Sequence, residues 1–217
     1  MYQTVSLRNN FWCIVLLLVV SCNSKKERLP YYNSPDFTPL FLNDAKTISD
    51  SATHKIAPFS FINQDGKTIT NKNVVGKIHV ANFIFTRCGS ICPTMTTNLK
   101  KVSNNFENDP NVVFLSYSVT PWIDSVPRLK EYKQNHQINN PNWHFLTGDK
   151  SKIYTLARTS YFAEEDLGFS KDSTNFLHTE HVLLIDSSQR IRGIYNGTLK
   201  LDMEQLIIDI NTLKKED

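Results

Sequence analysis

Phe83-Ile84-Phe85-Thr86-Arg87-Cys88-Gly89-Ser90-Ile91-Cys92-Pro93 is the stretch on which the reading of this chain turns. It passes from the apolar residues of a buried strand into a short polar loop. Pro93 fits the first turn of a helix, where its missing N–H costs nothing. Cys88 and Cys92 then stand on the loop and the helix entry, four residues apart, which brings two side chains onto one face of a turn. The free N–H groups and the dipole of a helix start favour thiolates. Both sulfurs are therefore expected to have a lowered pKa, ready for a soft metal or for redox work. The bland alternative is a pair of buried cysteines, and the strand–turn–helix context argues against it.

The flanking sequence supplies the rest of the fold. Lys77 to Phe85 is apolar throughout, as in a strand covered on both faces. Thr94 to Phe106 has helical spacing, with Met95, Leu99, Val102 and Phe106 inward. Val112 to Val119 reads as the next strand, Ser125 to His136 as a helix and Trp143 to Leu146 as a short strand. Lys152 to Arg158 is the core of a further helix. Val182 to Ile185 and Arg190 to Tyr195 bracket a polar turn and read as a hairpin. Asp202 is expected to cap the last helix, which turns Leu206, Ile207, Ile210 and Leu213 inward. Ahead of the central strand, Phe59 to Ile62 and Lys67 to Thr70 flank Asp65-Gly66, a hairpin signal. This order predicts a thioredoxin-like α/β fold, with an N-terminal β-hairpin extension and an insertion around Lys150 to Phe176, before the C-terminal hairpin. The cysteines lie where a central strand hands over to its helix, the usual place for ligands in open α/β sheets.

The first 57 residues divide at Cys22. Arg8 and the apolar run Phe11 to Val20, too short to span a bilayer comfortably, read as a signal peptide over residues 1–21. Val19-Val20-Ser21-Cys22 resembles the lipobox of bacterial lipoproteins, which implies cleavage before Cys22 and a lipid anchor on it. An uncleaved signal anchor is the alternative. Residues 22–57 are polar and proline-bearing, a tether and extended approach to the domain at 58–217. Tyr31, Tyr32, Phe37 and Phe41 are too apolar for a pure linker, so part of this stretch is expected to pack on the body. The expected location is a bacterial cell envelope, with the domain in the periplasm, tethered to a membrane, where exposed thiols can oxidise.

Composition excludes more than it identifies. The 217 residues are 40% hydrophobic, enough for a full core. The formal charge is +3; without Arg8 it becomes 23 basic against 21 acidic residues, or +2. Basic residues cluster only at Lys25-Lys26 and Lys214-Lys215, so no nucleic-acid partner is expected.

The run Phe83 to Pro93, with Phe37-Thr38-Pro39 upstream and His178 downstream, resembles the Sco/SenC family of copper metallochaperones from about Leu29 to the C-terminus. The resemblance implies copper held by Cys88, Cys92 and His178, and delivery to the dinuclear copper centre in the copper-bearing subunit of cytochrome c oxidase. It implies a carrier rather than an enzyme, recharged by an upstream thiol reductant. The chemistry agrees: two thiolates suit Cu(I), and an imidazole also accepts Cu(II). His181 is the fallback ligand. On an extended strand it points to the face opposite His178, since the two are three residues apart. Many family members carry an aspartate before a proline after the next strand. Here Thr120-Pro121 stands there, with Asp124 further on, so a carboxylate that tunes the thiols is not expected at that position.

Two rivals come from other classes. A thiol–disulfide reductase would cycle the same pair, but three residues separate the cysteines where thioredoxins have two, and the distal histidine has no part in that chemistry. A peroxidase of the peroxiredoxin type needs its threonine further from its cysteine than Thr86, which has only Arg87 between it and Cys88, and a proline four residues before that threonine, where Asn82 stands.

Overall fold

Seven consecutive buried residues, Ile78–Ile84, make the strand around which the rest is arranged. The computed structural model describes residues 28–163 and 179–216. Cys22, His178, the signal peptide and the later part of the expected insertion lie outside the described residues. In chain order the strands are β1 (Tyr31–Tyr32), β2 (Pro39–Leu40), β3 (Ser60–Asn63), β4 (Thr68–Thr70), β5 (Ile78–Ile84), β6 (Val112–Ser118), β7 (Trp143–Thr147), β8 (His181–Ile185) and β9 (Ile191–Asn196). The helices are α1 (Ala45–Ser51), α2 (Ile91–Asn105), α3 (Val126–Asn135), α4 (Lys150–Thr159) and α5 (Lys200–Glu216).

The described strands form one mixed sheet, in the order β2-β1-β9-β8-β5-β6-β7-β3-β4. β5 and β6 pair in parallel, as do β6 and β7, each pair joined through a helix. β8 runs antiparallel to β5, and β9 to β8. That arrangement is a thioredoxin-like α/β fold, with the hairpin β3–β4 added beyond β7. Gly66, at φ +74°, makes its turn.

Period-2 alternation splits the core between the two faces. Ala81, Phe83, Leu115, Tyr117, Leu183 and Ile185 enter one cluster, under α4 and the segment around Phe59 and Tyr161. Val80, Ile84, Phe114, Val182 and Leu184 enter the other, under α2, α3 and α5. In α2 the residues expected inward, Met95, Leu99 and Val102, are buried, and Phe106 follows as its C-cap. His79, on β5, is wholly buried, with its Nε2 3.2 Å from the Tyr161 hydroxyl.

Two expectations need correction. Asp202 is not the cap of α5: it is the third residue of the helix, and its carboxylate accepts from the Asn196 amide at 2.7 Å. The approach to the domain is not simply extended. It contributes β1, β2 and α1, because Tyr31 and Ile56 are buried and Tyr32 and Phe37 pack on the core, whereas Phe41 is 71% exposed.

A buried arginine pins that segment. Arg192, 3% exposed, donates to the carbonyls of Leu29 (2.7 Å) and Pro30 (3.0 Å) and pairs with Glu216 (2.7 Å) and Asp186 (3.3 Å). Its guanidinium lies 3.9 Å from the centre of the Tyr31 ring, and Glu216 in turn accepts from the Leu29 amide at 2.8 Å. The chain is therefore fixed to the body from Leu29 onward.

Candidate metal centre

β5 ends at Ile84, and a turn closed by the Cys88 amide on the Phe85 carbonyl (3.2 Å) leads into α2. Ser90 is the N-cap and makes no side-chain cap, so N–H groups of the first turn remain available for other acceptors. The Cys88 sulfur takes one of them, accepting from the Cys92 amide at 3.4 Å. Cys88 is half-buried, Cys92 is buried, and both are free thiols.

The two thiols are unequal, contrary to the expectation that both would be lowered. Burial alone would raise Cys88, but the N–H groups of Cys92, Ser90 and Ile91 outweigh it and hold the thiol below its ordinary value. Burial pushes Cys92 up to about 12, and Cys88 and the Asp124 carboxylate nearby add to the rise. The dipole argument holds for the sulfur that faces the N–H groups and fails for the one packed under the helix.

The pair opens into a cleft of about 410 Å³, walled by the end of β5, the helix entry and, across from them, Thr179 and Glu180. Glu180 is fixed there: its carboxylate accepts from the Asn196 side chain (2.7 Å) and its carbonyl from the Gly197 amide (2.8 Å). A Cβ on Gly197 would come within 2.9 Å of Val182 and 3.1 Å of Met95, so glycine lets this loop close on α2. Asn98 from α2 holds the same loop through the carbonyls of Gly197 and Thr198, both at 3.1 Å.

His181 is turned away from the cysteines. It shares the face of Leu183 and Ile185, and its ring stands edge-on to Phe37 at 5.6 Å; the thiols belong to the other face. Its Nδ1 is buried and has no hydrogen-bond partner among the described residues. Among the described residues no three His, Cys, Asp or Glu side chains are gathered to hold a metal ion. The donor set in view is thus two sulfurs, with the chain entering the cleft immediately after His178.

Asp124 was missed as a positioning residue. Fully buried, its carboxylate accepts from the hydroxyls of Thr86 (2.6 Å), Ser118 (2.6 Å) and Thr120 (3.0 Å) and from the Thr86 amide (3.3 Å). Arg128 donates to the Thr86 hydroxyl at 2.6 Å and stands 3.8 Å from Asp124. A carboxylate therefore lies behind the cysteine loop after all, four residues past Thr120. The only sequence signal for it was the spacing of Asp124 and Arg128, one turn apart at a helix start.

A family model described as SCO1/SenC matches residues 48–215. The chain belongs to the SCO1/SenC family. Solved SCO1/SenC structures share its fold. That of a family lipoprotein from Bacillus anthracis superposes with a TM-score of 0.65 at 30% identity, over 74% of this chain and 95% of that one. BsSco, described as having a disulfide switch and as a member of the Sco family of cytochrome c oxidase assembly proteins, gives 0.64 at 28% identity, over 76% and 95%. ScoI of Bradyrhizobium japonicum with copper bound gives 0.58 at 26% identity, over 73% and 98%.

Proposed function

We propose that this SCO1/SenC protein is a membrane-tethered copper metallochaperone that binds copper through Cys88, Cys92 and His178 and delivers it to the dinuclear copper centre of cytochrome c oxidase. The observation that carries the reading is the pair of free thiols on one turn, at the mouth of an open cleft. Soft thiolates favour Cu(I), and the imidazole of His178 extends the set to Cu(II). Copper-bound ScoI and the description of BsSco as an oxidase assembly protein support the cargo and its destination. The lipobox-like run before Cys22, and the lipoprotein relative of Bacillus anthracis, support a lipid anchor in a bacterial envelope with the domain in the periplasm. Loss of two electrons and two protons from Cys88 and Cys92 to an oxidant makes a disulfide, which offers no thiolate to a metal. An upstream dithiol reductant returns both electrons and both protons and restores the carrier.

A second reading, a thiol–disulfide reductase acting on the oxidase or another exported protein, is favoured by the inequality of the thiols. The lowered Cys88 suits an attacking thiolate, and the buried Cys92 suits a resolving thiol. Anaerobic titration of the reduced protein with Cu(I) and Cu(II), followed by optical and EPR spectra, decides between them. One copper per chain, lost in Cys88→Ser and in Cys92→Ser, supports the carrier. Unchanged stoichiometry in either variant removes it and leaves the reductase.

A further inference from the structure

We propose that the domain lies on the bilayer surface through the groove between Phe41 and the outer face of α5, the lipid headgroup region being the occupant. This rests on the anchor at Cys22 and adds an orientation to it. Three observations converge on that face. Arg192 and Glu216 fix Leu29 to the body, so the described chain is pinned from Leu29 onward. Five residues lie between Cys22 and Arg28, a reach of about 20 Å when fully extended. Arg28 itself lines the groove, together with Phe41, Ile208 and Lys215. The lipid-bearing end of the chain thus begins at this face, and the short tether brings the face near the membrane plane.

The chemistry of the face suits that place. Phe41 is 71% exposed and Ile208 57%, and Leu201, two turns before Ile208 on α5, is 77% exposed. Large apolar side chains left in water on one stripe are the kind of surface that inserts at the headgroup–acyl boundary. Arg28 borders them, and Lys25-Lys26 precede Arg28 in the sequence, giving cations for anionic headgroups. Of the two carboxylates that line the groove, Asp209 accepts from the Tyr195 hydroxyl (2.7 Å) and from Gln205 (2.9 Å). Glu216 is spent on Arg192 and the Leu29 amide. The start of α5 follows the loop that closes on α2 beside the cleft, so docking by this helix would bring the thiol cleft near the membrane.

Fluorescence quenching of the full-length lipoprotein in phosphatidylglycerol/phosphatidylethanolamine vesicles tests this. Phe41→Trp and Ile208→Trp are each compared with Val75→Trp, an exposed position on the loop before β5. The wild-type tryptophan signal is subtracted throughout. With lipids brominated near the headgroup, the added signal at 41 and 208 is expected to fall to less than half, and that at 75 to change little. Equal quenching at all three positions overturns the proposal. So does an added signal that is blue-shifted yet unquenched at 41 and 208, which would mean that the chain's own residues before Arg28 fill the groove. Intact mass reads the anchor separately. If Cys22 carries no lipid, the anchor reading fails; the quenching pattern of the chain held by its uncleaved Phe11–Val20 segment still decides the face.

Discussion

The Cys92 amide donates to the Cys88 sulfur at 3.4 Å, so the residue that carries one thiol lowers the proton affinity of the other. The helix start acts on the cysteine outside it and leaves the cysteine inside it to be governed by burial. Division of labour within the pair follows from geometry alone.

Alkylation of the reduced protein near neutral pH should therefore be sequential. Iodoacetamide is expected to modify Cys88 well before Cys92, because the thiolate is the reactive form and Cys92 stays protonated up to about pH 12. Peptide mapping after partial reaction checks the order, and faster labelling of Cys92 would contradict the assignment.

The two neighbouring histidines should behave differently. His178→Ala is expected to weaken Cu(II) far more than Cu(I), since two thiolates can hold Cu(I) alone. His181→Ala should leave both nearly unchanged, because its ring faces Phe37 on the other side of the sheet. EPR-monitored titrations of the two variants give the ranking, and the reverse ranking would move the third ligand to His181.

Replacing Asp124 by Ala removes the acceptor of three hydroxyls and one amide and strips Arg128 of its carboxylate neighbour. A loss of about 3 kcal/mol in urea unfolding is expected, and Asp124→Asn, which keeps an acceptor oxygen, should lose roughly half of that. Cys88 alkylation should also change in rate, because Thr86 then no longer holds the loop. An unchanged alkylation rate in Asp124→Ala, with stability lost, would confine the carboxylate to a packing role.

Acid should loosen the core before it reaches the carboxylates. Burial lowers His79 to about 3 and His144 to about 4 in the folded protein, against 6.5 when exposed. Between those limits the unfolded chain binds more protons, so stability is full above about pH 6.5 and falls as the pH drops towards the folded values. From pH 7 to pH 5 each histidine removes about 2 kcal/mol. His79→Leu should abolish its share, leaving the Tyr161 hydroxyl its contact with Tyr117 at 3.1 Å. Urea midpoints of the wild type and this variant at the two pH values measure the difference; parallel curves would refute it.

What the sequence made legible was what repeats or what punctuates. The unbroken apolar run at Ile78–Ile84, the spacing of Met95, Leu99 and Val102, and Asp65-Gly66 placed the central strand, its helix and the first hairpin. The cysteine pair announced itself by its position after that strand. Strands of two residues carry no period, so β1 and β2 could not be seen; only the aromatics Tyr31, Tyr32 and Phe37 hinted at them. The roles of Arg192 and Asp124 were hidden for another reason. Both act through partners distant in sequence, Leu29 for one and Thr86 for the other, and a single chain does not display such pairings. The rise in Cys92 has no sequence signal, because a side chain at a helix start can sit outside the field of its N–H groups and under its packing.

The sheet's margins have a consequence for copies gathered at high local density. One edge is β2, two residues long with Pro39 unable to donate a ladder hydrogen bond, and the other is β4, three residues that pass at once into the capped turn Asn71–Asn73. Among the described residues, a neighbouring molecule finds no long run of unpaired backbone groups at either edge onto which to add a strand. Crowded molecules can therefore jostle without their sheets fusing into a shared one, and guarding against aggregation falls to the two short strands at its borders.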